Sequence, residues 1–292
     1  MWDQAVNNSN PVKLAISTCP NDTFAFHAIL NNKIDLQGME FEIQLLDIQE
    51  LNDGLLAGQF EVAKVSFHAA LQVADEITVL PSGSALGFGV GPLLLAAQPA
   101  MSPGTSIGSG QQQLTLCPGR HTTAYMLYRL FYGMDAPVEH VVFSDIMPAL
   151  KNQRAGFGVC IHEGRFTWES QGLHLVEDLG ARWETETQSP LPLGGIVIRN
   201  SVEQKRLRQI QNIIRESIQY GLRHRQETIP TMKRYAQELD DKVLMQHVDL
   251  YVNQWTVELG DVGRKALHTL SDKAVATGLT GSVSDRLDVF QV

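Results

Sequence analysis

Pro190-Leu191-Pro192-Leu193-Gly194-Gly195-Ile196-Val197-Ile198-Arg199 breaks the chain and then re-enters regular structure. The prolines and glycines interrupt whatever precedes them, and the β-branched run from Ile196 onward reads as a buried strand over residues 196–199. Upstream, short apolar strands alternate with amphipathic helices. Downstream, residues 228–287 read as three helices with no strong strand. This order predicts an α/β protein in which the chain returns at 196–199 to a lobe it began earlier. Residues 1–97 plus 196–292 would form a first, larger lobe. Residues 98–195 would form a second lobe inserted into it, with a ligand-sized cleft between the two.

Working outward, strands are predicted at 13–17, 41–46, 61–67 and 77–81, and, in the inserted block, at 114–117, 140–144 and 157–161. Helices are predicted at 24–31, capped by Pro20 to Thr23, and at 48–57, 68–74, 122–131 and 145–152. Asn200 and Glu203 have the spacing of a capping box. Beyond them Leu207, Ile210, Ile213, Ile214 and Ile218 keep helical periodicity, so a long amphipathic helix follows. Gly83-Ser84-Ala85-Leu86-Gly87-Phe88-Gly89-Val90-Gly91-Pro92 lacks the GxGxxG spacing of a dinucleotide site. Its glycines suit close backbone approach to a neighbour or ligand. Residues 98–113, rich in Pro, Gly, Ser and Gln, read as a linker.

The chain has 292 residues, 43% hydrophobic and 19% charged, as in a soluble globular protein. Its net charge of -9 excludes nucleic acid as a general partner. An anionic small-molecule substrate must therefore be attracted by local features. No apolar run reaches the ~18 residues of a membrane span. Residues 1–10 are polar and lack a signal-peptide pattern, which predicts a loose tail and a cytoplasmic protein. Cys19, Cys117 and Cys160 form no CxxC pair, so neither a zinc site nor a disulfide framework is expected.

Candidate chemistry lies where predicted strands hand over to loops, the usual ligand edge of an α/β sheet. Ser17 and Cys19 stand at one edge, Ser66 and His68 at a second, Thr122 and Thr123 at a third, and His162 at a fourth. In Ile161-His162-Glu163-Gly164-Arg165-Phe166-Thr167-Trp168 the histidine is placed to exchange protons near neutrality. The plainer alternative is a helix-start histidine bonded to backbone. Pro118-Gly119-Arg120-His121-Thr122-Thr123 opens a helix whose N-terminus suits a carboxylate or phosphate, the alternative being simple N-capping by Thr122. Ser66 lacks a GxSxG elbow, so hydrogen bonding is the better role for it. Lys64 shares a strand face with Ser66, and by itself would be a strand-end lysine reaching solvent. Asp22 and Glu163 read as first-turn acids, and Arg165 as a solvated or ion-paired face residue.

Together these segments, with 191–195 and Leu259-Gly260-Asp261-Val262-Gly263-Arg264, resemble the 1,4-dihydroxy-6-naphthoate synthase family of menaquinone biosynthesis (the futalosine route). The His-Glu-Gly-Arg-Phe-Thr segment is the most specific part. The resemblance implies a two-lobed fold of the type II periplasmic-binding-protein kind, working in the cytoplasm without metal or organic cofactor. It implies a lyase that splits a carbon–carbon bond of cyclic dehypoxanthine futalosine and releases a three-carbon fragment. It places a general base at His162 and substrate contacts at Lys64, Val65, Ser66, Thr122 and Thr123. The glutamine-rich linker before Pro118 departs from the basic stretch expected there. Chorismate dehydratase of the same pathway, and a solute-binding protein for an aromatic carboxylate, are the competing readings. The first is disfavoured by His162-Glu163-Gly164-Arg165.

Overall fold

Strand β1 (Val12–Ser17) shows how the first half is layered. Val12, Leu14 and Ile16 point to one face and pack on Leu207, Ile210, Ile213, Ile214 and Ile218 of the helix Gln204–Arg223. Ala15 points to the other, where it joins Ala63, Val65 and Val197 in a larger core. The periodicity predicted for the long helix is therefore its buried stripe. Its expected capping box is not formed: Glu203 is the N-cap and makes no side-chain cap bond. Asn200 instead accepts from the Thr78 hydroxyl at 2.7 Å and donates to the Asp75 carbonyl at 3.0 Å. Those bonds tie the strand exit to the neighbouring strand and leave nothing for the helix.

The computed structural model describes residues 10–99, 106–107, 111–162, 164–236, 240–280 and 286–291. The predicted tail, Glu163 and much of the predicted linker lie outside the described residues. Within the linker, β7 (Ser106–Ile107) and β8 (Gln111–Gln112) pair antiparallel.

The first sheet joins β1 to β2 (Phe41–Leu46), β3 (Val62–Ser66), β4 (Ile77–Val79), β5 (Ala85–Gly87) and β13 (Leu191–Arg199). Its order is β2-β1-β3-β13-β4, with β5 also on β13. Strand β13 runs antiparallel between β3 and β4, so the returning segment is central to the sheet. It begins at Leu191, earlier than the glycines suggested, because Leu191 and Pro192 already face Gly87 and Leu86. The second sheet has the order β10-β9-β11-β6-β12. Its members are β6 (Leu93–Ala96), β9 (Thr115–Cys117), β10 (Val138–His140), β11 (Phe157–Cys160) and β12 (His174–Asp178). Residues 93–96, expected with the first lobe, pair here with β11 and β12. The chain thus enters the second sheet just after the glycine run. Gly91 explains the crossing: a Cβ there would lie 2.2 Å from the Gly180 Cα.

Candidate active site

Four strand exits converge on one cavity between the two sheets. After β1 come Ser17, Cys19, Asn21 and Asp22. After β3 comes Ser66, after β9 Thr122 and Thr123, and after β11 His162. All six residues proposed from sequence, Lys64, Val65, Ser66, Thr122, Thr123 and His162, line this cavity.

His162 sits two residues beyond the end of β11, after Ile161, in a turn with φ of 55°. A non-glycine residue in this left-handed region is uncommon and carries a local cost, which here swings the ring off the strand line. Its ring packs 4.6 Å from Phe143 and lies nearly parallel to His247, with centroids 6.2 Å apart and planes at 8°. Its Nδ1 lies 3.1 Å from the Cys19 sulfur, a contact that crosses from one sheet's edge to the other's.

Lys64 does not reach solvent. It is 5% exposed and donates to Asp22 Oδ1 at 2.6 Å and to the Gly83 carbonyl at 3.0 Å. Asp22 is the first-turn acid of the helix Pro20–Ala25, as expected; it is 4% exposed and forms half of a buried ion pair. Asn21 Nδ2 donates to the same Asp22 oxygen at 3.0 Å, and His247 Nε2 meets Asn21 Oδ1 at 3.0 Å. The chain Lys64–Asp22–Asn21–His247 ends beside His162.

Ser66 is clamped by Asn52, which accepts from its backbone N–H at 2.9 Å and donates to its hydroxyl at 3.1 Å. His68 does not activate it. That ring, buried and pushed down to about 4 by desolvation, lies 3.3 Å from the Thr122 carbonyl. Thr122 is the N-cap of the helix Thr123–Tyr132. Its hydroxyl accepts from the Tyr125 N–H at 3.2 Å and donates to Gly119 at 2.9 Å. Gly119 has φ of 119°, and a Cβ there would strike Gln49. The Thr123 hydroxyl donates to the Leu193 carbonyl at 2.6 Å and accepts from the His68 N–H at 3.4 Å. Both threonine hydroxyls are thus occupied, that of Thr122 in capping the helix and that of Thr123 in holding the helix start against β13 and β3's exit. What the cavity receives from this element is its N-terminal amide end, which favours an anion. With Lys64 matched by Asp22, that end remains a positive feature of the wall among the described residues.

Arg165 is ion-paired with Asp178 at 2.7 Å and donates to Gly91 at 2.6 Å, so it braces the His162 turn. Sequence reasoning missed His247 and Tyr251, both lining the cavity. They belong to the helix Asp241–Tyr251, whose buried stripe is Leu244, His247, Val248 and Tyr251. A histidine inside an apolar stripe was the available signal.

A two-sheet α/β protein with its cavity at the strand exits defines the class, the periplasmic-binding-protein-like fold. The Escherichia coli periplasmic aliphatic sulphonate binding protein superposes with a TM-score of 0.63 at 10% identity, over 97% of this chain and 94% of that one. A protein of Archaeoglobus fulgidus superposes with a TM-score of 0.86 at 29% identity, over 93% of this chain and 99% of that one. The profile of the family described as "Menaquinone biosynthesis" matches residues 12–276, and the chain belongs to that family. A Thermus thermophilus enzyme, 1,4-dihydroxy-6-naphthoate synthase, is 39% identical over 92% of this chain and 95% of its own. The enzyme of that name from Streptomyces coelicolor is 34% identical over 93% and 95%. The chain is an enzyme of menaquinone biosynthesis, and among the described residues no helix is long and apolar enough to cross a membrane.

Proposed function

We propose that this chain converts cyclic dehypoxanthine futalosine to 1,4-dihydroxy-6-naphthoate with release of a three-carbon fragment, His162 acting as general base. The observation that carries the reading is the position of His162: on the wall of a cavity that an anion-favouring helix start also lines. The ring carboxylate of the substrate belongs at Thr122, Thr123 and Ala124, at the N-terminal end of the helix Thr123–Tyr132. The rest of the ligand then occupies the cavity that His162 also lines. General-base assistance contributes ~10²–10⁴-fold, and an aromatic product supplies driving force of its own. Ser66 and backbone N–H groups at the β3 exit steady negative charge that develops on the ring oxygens.

The two sheets define two lobes, and their approach excludes water from the reaction. The Cys19–His162 contact spans the gap between them. Incubating the protein with cyclic dehypoxanthine futalosine tests the reading: naphthoate absorbance should appear together with the three-carbon product. Ligand recovered unchanged would favour a solute-binding role, the role for which the sulphonate-binding relative of this fold is named.

A further inference from the structure

Asn21 fixes the proton on His247. Its Nδ2 faces Asp22 Oδ1, an atom already accepting from Lys64, so Asn21 must present Oδ1 to His247. An amide oxygen only accepts, so His247 Nε2 carries the hydrogen and Nδ1 is left with a lone pair. His247 is 2% exposed, and its Nδ1 has no hydrogen-bond partner. Burial, with His162 nearby, holds its protonation well below the ordinary range, so the lone pair persists at neutral pH. Buried polar atoms are rarely left unpaired, and this one belongs to a residue on the cavity wall. Its ring neighbours are Tyr251 at 4.6 Å, His162 at 6.2 Å and Phe166 at 6.4 Å.

We propose that His247 is a substrate-binding residue whose Nδ1 accepts a hydrogen bond from a neutral hydroxyl on the non-aromatic part of the ligand. An uncharged acceptor among aromatic rings repels a carboxylate and accommodates a hydroxyl. Charge and hydroxyl are thereby sorted to two subsites of the cavity wall, the carboxylate at the Thr122 helix start and the hydroxylated portion at His247, whose ring lies beside that of His162. This orientation rests on the lyase reading above and says which end of the substrate the base meets.

Two substitutions separate this role from a structural one. His247→Gln keeps a donor near the Nε2 position for Asn21 and removes the Nδ1 acceptor. His247→Asn does the reverse. The proposal predicts that His247→Gln raises the KM for cyclic dehypoxanthine futalosine at least about tenfold. It predicts that His247→Asn stays within about threefold of wild type, despite a lower melting temperature. The product 1,4-dihydroxy-6-naphthoate, which lacks the hydroxylated fragment, should bind His247→Gln and wild type alike. An unchanged KM in His247→Gln, or equal losses of substrate and product binding in that variant, would overturn the assignment. Failure of the wild-type protein to turn over the substrate would instead remove the lyase reading.

Discussion

Lys64 carries its charge inside the protein, and that choice organises the residues around it. The ammonium group orients Asp22, Asp22 orients Asn21, and Asn21 orients His247. Removing one partner of such a buried pair leaves the other uncompensated. Lys64→Met should therefore destabilise the fold by about 3–5 kcal/mol, read as a lower urea midpoint. An unchanged midpoint would show that Asp22 does not depend on Lys64. A lysine on a strand gives no sign in the sequence that its partner lies 42 residues earlier. The sequence placed Lys64 on the right face and missed its burial for that reason.

The helix Thr123–Tyr132 acts through its first turn, and Thr123 is the peg that seats it. The hydroxyl's bonds to Leu193 and His68 join the helix to β13 and to the turn after β3. Thr123→Val removes both bonds while keeping the shape. It should raise the KM several-fold, the amide groups being less well aimed, and lower kcat by less. A KM equal to that of the wild type would count against anion binding at this turn. Strands and helices around this site were legible because their periodicity is strong: residues 13–17, 61–67 and 114–117 are predicted within a residue or two of β1, β3 and β9. Three features were harder. Strand β12 is short, ends in Glu177 and Asp178, and pairs only with β6, so it lacks the apolar run of a central strand. Residues 93–96 were placed in the wrong sheet, because periodicity identifies a strand and says nothing of its partners. His247 and Tyr251 reach the cavity through the packing of the helix Asp241–Tyr251 against the first strand exit, a contact between residues over 200 positions apart.

At the scale of the whole molecule, two buried histidines, His68 against the Thr122 helix start and His247 on the cavity wall, are held neutral by burial. His68 lies at about 4 instead of 6.5, desolvation being the main cause, and His247 is lowered by the same cause. Each imidazole is protonated more readily in the unfolded chain. Their contribution to stability is therefore complete above pH ~6.5 and lost as pH falls below it; for His68 the loss runs down to about 4 and amounts to up to ~3 kcal/mol. Urea midpoints at about pH 7.5 and about pH 5 should show the protein weaker in acid, and His68→Gln should flatten the difference. Equal midpoints in the wild type would contradict this.

The most direct test pairs turnover with binding in His162→Ala. Product binding by calorimetry should match the wild type, while kcat for cyclic dehypoxanthine futalosine falls by ~10²–10⁴-fold. Turnover at the wild-type rate in that variant would contradict a base at His162 and, with it, the chemistry assigned to the cavity.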